Sequence, residues 1–148
     1  MKPIQVLLVE DNEADVELTR ETFLSSRLNV ELSVAQDGVE AIDMLTGRTS
    51  TRRHVLPDLI LLDLNLPKID GRQVLSKIKH DRDLKQIPVV VLTSSDAESD
   101  VVTSYQLGAN CFITKPDDFR KYQDVVQALE GFWFAVATLP KVTVDTAG

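Results

Sequence analysis

Five short apolar runs divide the chain. The segments IQVLLV (4–9), VELSVA (30–35), LILL (59–62), VVVL (89–92) and CFI (111–113) are rich in branched residues that favour extended backbone, so each is predicted as a strand. Between them the apolar period lengthens. Ala41, Ile42 and Leu45 share one helical face, as do Val74, Leu75 and Ile78, and then Val101, Val102 and Tyr105, which predicts three helices. A weaker stripe through Ala14, Leu18 and Thr22 predicts a helix over about 14–25. The strongest runs through Tyr122, Val125, Val126, Leu129, Phe132, Trp133 and Val136. Five strands alternating with five helices imply right-handed crossovers and a parallel sheet covered on both faces. The third run lies in LPDLILLDLNLPKIDG (56–71), where Pro57 and Pro67 bound it and the absence of polar relief fits a strand buried on both faces.

A length of 148 residues suits one domain with its own core, expected to span 1–148 with an extended last helix and a tail. The hydrophobic fraction of 43% and charged fraction of 26% fit a globular protein rather than a disordered or membrane one. No apolar stretch nears the roughly 20 residues of a membrane span, and the acidic turn after the first strand does not continue as a signal peptide. A cytoplasmic protein is expected. The single cysteine, Cys111, forms no internal disulfide and is expected as a small buried apolar residue. A net charge of -7, with the basic residues scattered except for RTSTRR at 48–53, argues against a nucleic-acid surface. That basic cluster reads as a solvated loop, and KVTVDTAG after Pro140 as a frayed tail.

The candidate chemistry lies where the strands end. The first strand ends in VEDN, placing Glu10 and Asp11 at the edge where the third ends on Asp63, and in open parallel sheets that edge is where ligands bind. Three carboxylates within a few ångströms repel one another and need raised pKa values or a cation. Oxygen ligands with open positions for water and phosphate suit Mg2+. Thr93 ends the fourth strand and Lys115 follows the fifth, adding a hydroxyl and an ammonium to the same crevice. A carboxylate nucleophile beside an ammonium and a cation is what an incoming phosphoryl group requires, with Asp63 the acceptor.

These motifs in register resemble the receiver domain of two-component response regulators over residues 4 to about 130. The resemblance implies a flavodoxin-like, doubly wound sheet in the order 2-1-3-4-5, by analogy with the chemotaxis receiver. It implies that Asp63 is phosphorylated by a sensor histidine kinase, and that Glu10, Asp11 and Asp63 bind Mg2+ with a backbone carbonyl from Asn65. Thr93 becomes the switch hydroxyl, Lys115 the phosphate-pairing lysine in a cis Lys115–Pro116 peptide, and Phe112 the aromatic that reports the state. Asn65 and Ser95 flank the path of the hydrolytic water in this family. Asn12 and Asp15 are expected to serve the first helix as cap and dipole partner. Asp70 and Gly71 are expected to shape the turn into the third helix, and Gly108 to end the fourth.

Two features depart from the common pattern: Phe112 lacks the hydroxyl of the usual tyrosine, and the 46–57 loop is long. With the ending EGFWFAVATLP, that loop resembles the small response regulators that partner phytochrome histidine kinases. Phe132 and Trp133 continue the stripe of the last helix, which leaves Phe134 and Leu139 as a second apolar surface. The expectation is a homodimer through the fourth helix, fifth strand and fifth helix. A stand-alone response regulator competes with a phosphate sink, a phosphorelay intermediate, and an aspartyl-nucleophile phosphatase. The phosphatase would need a second aspartate where Asn65 stands. A flavin site would need a phosphate loop where EDNEAD repels phosphate, and a DNA-binding regulator would need an output domain.

Overall fold

A computed structural model describes residues 3–47, 54–140 and 143–144. The expected strands form one parallel sheet: β1 (Ile4–Val9), β2 (Val30–Ala35), β4 (Leu59–Leu62), β5 (Val89–Thr93) and β6 (Cys111–Thr114), in the order β2-β1-β4-β5-β6. Helices α1 (Glu13–Leu24), α2 (Gly38–Thr46), α3 (Gly71–His80), α4 (Glu98–Gln106) and α5 (Phe119–Leu129) make the crossovers. The strand order matches the expected 2-1-3-4-5. Among the described residues no helix is long and apolar enough to cross a membrane.

Alternation along the strands divides the core in two. Leu7, Val9, Ile60, Leu62, Val89 and Val91 pack with Ala41, Leu45, Val74, Leu75 and Ile78 of α2 and α3. Val6, Leu8, Leu59, Leu61, Val90 and Leu92 pack on the other face with Leu18 and Phe23 of α1 and Tyr122, Val126 and Leu129 of α5. Every residue of β4 is buried, as a parallel strand covered on both faces requires.

Register then fixes the functional edge. Val9 pairs with Leu62, so Glu10 and Asp63 are neighbours one residue beyond the pair, tied by the Asp63 N–H donating to the Val9 carbonyl at 3.0 Å. Thr93 pairs with Thr114, and the Lys115 N–H donates to the Thr93 carbonyl at 2.7 Å.

The helix starts follow their expected caps. Asn12 accepts from the Asp15 N–H at 3.0 Å, and Asp70 forms a capping box with Gln73, each satisfying amides that the helix leaves free. Gly108 follows α4 at φ 105°, a left-handed conformation that favours glycine.

Several expectations are corrected. The α4 stripe does not face the core: Val102 and Tyr105 are about half exposed, and the helix buries Ser104 instead. In α1, Ala14 is exposed, and the buried stripe runs through Leu18, Thr19, Thr22 and Phe23. Cys111 is half-buried, because β6 is an edge strand. The Lys115–Pro116 peptide is trans, the isomer an X–Pro bond prefers by about 0.5–1 kcal/mol.

After α5 the chain continues as a π-helical turn, Glu130–Phe134. Its i→i+5 bonding adds a residue to the turn and shifts the side-chain phase. Trp133 and Phe134 therefore pack against the α1–α5 core, Phe134 with its ring 5.9 Å from that of Phe23, while Phe132 is exposed. Phe134, expected outward, lies inward.

The expected tail and the long loop also hold a short antiparallel pair, β3 (His54–Val55) with β7 (Thr143–Val144). The basic cluster 48–53 and the rest of the tail beyond residue 140 lie outside the described residues.

Candidate functional site at the carboxyl edge of the sheet

Glu10, Asp11 and Asp63 can bring one carboxylate oxygen each within 4.8 Å of one another. Glu10 and Asp63 are buried and Asp11 is exposed. Lys115 reaches into the group from the end of β6: its Nζ donates to Glu10 Oε2 at 2.7 Å, Asp15 Oδ2 at 2.9 Å and Asp63 Oδ2 at 3.0 Å. The lysine side chain is only 7% exposed, so its three bonds replace the water it has lost. Asp63 Oδ1 accepts the Asn65 N–H at 3.1 Å. Gly71 lets α3 begin against this strand end, since a Cβ there would lie 2.3 Å from the Asp63 carbonyl oxygen.

The electrostatics follow from crowding. Burial pushes the Glu10 carboxyl up to about 8 and the Asp63 charge adds to the rise, with Lys115 opposing both. Burial also acts to raise Asp63, but the charge of Lys115 and the Asn65 N–H outweigh it and hold the group below its ordinary value. Lys115 is held above the ordinary lysine range: burial lowers it, and the bonds to Glu10 and Asp15 more than compensate. Two carboxylates this close titrate as a pair and keep a proton between them unless more positive charge arrives.

That excess of negative oxygen donors fits a hard divalent cation. Beside it, an open cavity is lined by Glu10, Asp11, Glu13, Val16, Glu17 and Gln36, whose acidic wall suits a cation and repels a free phosphate ester.

Of the other expected residues, Thr93 is fully buried, and among the described residues its Oγ1 completes no hydrogen bond of good geometry, although it lies near enough to Asp63 to help hold that carboxyl low. Phe112 is half-buried against the α2–α3 core, and its backbone N–H donates to the Tyr105 hydroxyl at 3.2 Å.

The sequence reading missed one role and one pair. Asp15 stands in the first turn of α1 as expected of a dipole partner, but it also binds Lys115; its place one helical turn after Asp11 was the available signal. Arg72 and Asp100 form an ion pair between the first turns of α3 and α4, which no spacing announces.

A buried carboxylate at the end of a central strand, an acidic pair and a lysine define a receiver-type phosphoacceptor site on a doubly wound sheet. Residues 6–127 match the response regulator receiver domain, and the chain belongs to this family, whose members are phosphorylated on aspartate in two-component signalling. It is 46% identical over 138 residues to the response regulator Rcp1 of Synechocystis sp., covering 93% of this chain and 94% of that one. The Mn2+-bound structure of Rcp1 superimposes with a TM-score of 0.87, covering 93% of this chain and 99% of that one. The phosphorylated cyanobacterial phytochrome response regulator RcpA is 45% identical with a TM-score of 0.89, over 95% of this chain and 100% of that one. The bacteriophytochrome response regulator AtBRR is 43% identical with a TM-score of 0.71, over 95% and 100%.

Proposed function

We propose that Asp63 accepts a phosphoryl group from the phosphohistidine of a sensor histidine kinase, with Mg2+ as the cation and a phytochrome as the sensor. The observation that carries the reading is the placement of the buried Asp63 carboxylate 3.0 Å from Lys115 Nζ and within reach of Glu10 and Asp11. The phytochrome assignment is supported by the likeness to RcpA and AtBRR, and the cation by the Mn2+-bound form of Rcp1.

In the transfer, an Asp63 oxygen forms a bond to phosphorus in line as the donor P–N bond breaks. The electron pair leaves with the imidazole nitrogen and an acyl phosphate results. A divalent cation held by Glu10, Asp11, Asp63 and the Asn65 carbonyl would neutralise charge on the phosphoryl oxygens. Lys115 turns from the carboxylates to the new phosphoryl oxygens, and Asp15 keeps it within reach on the side of α1. Thr93 swings its hydroxyl to the phosphoryl group, and Phe112 moves into the space left behind. The product is a switched signalling protein, not an enzyme for a separate substrate. Its output face includes the exposed Val102 and Tyr105 of α4 and Phe119 of α5, through which a homodimer forms.

Incubation with acetyl phosphate and Mg2+ should give a shifted band in phosphate-affinity electrophoresis for the wild type and none for Asp63→Asn. Sedimentation of the same samples should show a dimer at micromolar concentration. A shifted band in the mutant would sink the acceptor assignment, and a monomer before and after phosphorylation would remove the dimer.

A further inference from the structure

We propose that Arg72 is a positioning residue for the switch: by gripping Asp100, and through it Ser95, it holds the loop after Thr93 in the unphosphorylated arrangement. The inference rests on Asp63 being the phosphoacceptor. Arg72 lies in the first turn of α3, where one guanidinium nitrogen donates to both Asp70 oxygens at 3.1 Å. The other donates to Asp100 Oδ1 at 2.5 Å, in the first turn of α4. Asp100 Oδ2 accepts the Ser95 hydroxyl at 2.5 Å, and the Ala97 N–H donates back to Ser95 Oγ at 3.3 Å. Four side chains from the start of α3, the β5–α4 loop and α4 thus form one continuous chain of bonds.

Both ends of that chain matter. At the α3 end it is anchored to the acceptor strand, because the Gly71 N–H donates to the Leu64 carbonyl at 2.9 Å and the Asp63 backbone lies against Gly71. At the other end Ser95 is two residues past Thr93, so the threonine cannot move far without pulling on Ser95. No side chain caps α4 at Ala97, so the clasp supplies the tether that a cap would give. Arg72 and Asp100 side chains are 29% and 21% exposed, which leaves the pair less screened than a surface one. Ser95 first and Arg72 second hold the Asp100 carboxyl below its ordinary value. Contacts present in one state and lost in the other bias the equilibrium between them. The clasp therefore disfavours the arrangement in which Thr93 meets the phosphoryl group, and releasing it eases phosphorylation.

The test compares phosphorylation rates with acetyl phosphate and Mg2+ for wild type, Arg72→Ala, Asp100→Ala, the double variant and Ser95→Ala, with thermal midpoints to establish folding. Both single variants should phosphorylate faster, by about twofold to fivefold if the pair is worth what partly screened pairs commonly are. The double variant should be no faster than the faster single, since both remove one link. Ser95→Ala should move the rate the same way by less, and it cuts the chain without touching a charge. A pure charge effect on the anionic donor would slow Arg72→Ala and speed Asp100→Ala; that opposite pattern overturns the clasp. Rates within twofold of wild type for all three single variants overturn it as well. Asp63→Asn runs alongside: an unphosphorylated Asp63→Asn with unchanged clasp variants rejects the clasp alone, whereas phosphorylated Asp63→Asn rejects the acceptor assignment and the clasp with it.

Discussion

Strand alternation sends different chemistry to the two faces of the sheet at one edge. On the α1–α5 side, Glu10, Asp63 and Lys115 continue the alternation of Leu8, Leu61 and Ile113, and they close into an ion cluster with Asp15 of α1. On the α2–α3 side the same edge ends in Thr93, which shares the alternation of Val89 and Val91, and Phe112. Neither carries charge. The charged side is held by three bonds to one buried ammonium. The uncharged side has a hydroxyl that completes no hydrogen bond of good geometry among the described residues, a half-buried ring and a helix, α4, that buries only Ser104. Rigid placement serves the reacting atoms, and low local contact density serves the part that must move. Arg72 stands between them, since it is anchored beside the acceptor and grips the mobile side.

The largest break in this comparison should come from Lys115→Met. It leaves the ionised Asp63 buried without its counter-charge, and breaking a buried pair costs about 3–5 kcal/mol. Urea unfolding at pH 7.5 in chelator should show a loss near that size, with part recovered when Mg2+ is added. A loss below about 1 kcal/mol would mean that the cluster is not held as the geometry indicates.

Acid titration sharpens the same side. Glu10 is raised to about 8 in the fold, above the ordinary carboxyl value expected when unfolded. Between those values the folded state binds more protons than the unfolded one, so stability falls as pH rises. The contribution is fully present below the unfolded value and lost above about 8. Asp63, lowered in the fold, acts in the opposite sense only below its ordinary value and stays outside that window. Urea midpoints in chelator should therefore fall between pH 5 and pH 8.5, and a saturating divalent cation, which holds the ionised form, should flatten the slope. A midpoint that rises across the range would contradict the raised Glu10.

The charged side was also the more legible in sequence. Glu10, Asp11, Asp63, Thr93 and Lys115 stand at the ends of apolar runs, and a parallel register necessarily gathers strand ends at one edge. What was not legible depended on how helices seat. The stripe of Val101, Val102 and Tyr105 has the right spacing for a buried face, yet α4 turns Ser104 inward, because spacing identifies a face without naming what it packs on. The π turn at Glu130–Phe134 shifted Phe134 inward and Phe132 outward, a phase change that a 3.6-residue pattern cannot carry. The Arg72–Asp100 pair joins residues 28 apart on two helices and left no local signature.

The smallest effect expected is on the mobile side, and its smallness is the point. Thr93 is fully buried, and among the described residues its Oγ1 completes no hydrogen bond of good geometry and only approaches Asp63, so the hydroxyl recovers little of its desolvation cost in the unphosphorylated protein. Thr93→Val keeps nearly the same shape and removes that cost. The unphosphorylated protein should then be unchanged or more stable by up to about 1 kcal/mol. The variant should still be phosphorylated on Asp63, because the acceptor, Glu10 and the lysine lie on the other alternation and keep their mutual bonds. What it should lose is the stabilisation gained on phosphorylation, since no hydroxyl remains to meet the phosphoryl oxygens. Urea unfolding with and without acetyl phosphate and Mg2+ separates the two: the wild-type midpoint should rise on phosphorylation by more than that of Thr93→Val. If Thr93→Val instead destabilises the unphosphorylated protein by more than about 1 kcal/mol, the hydroxyl has a structural partner in solution. The division between a bonded, reactive side and an unsatisfied, mobile one would then fail at the residue meant to move.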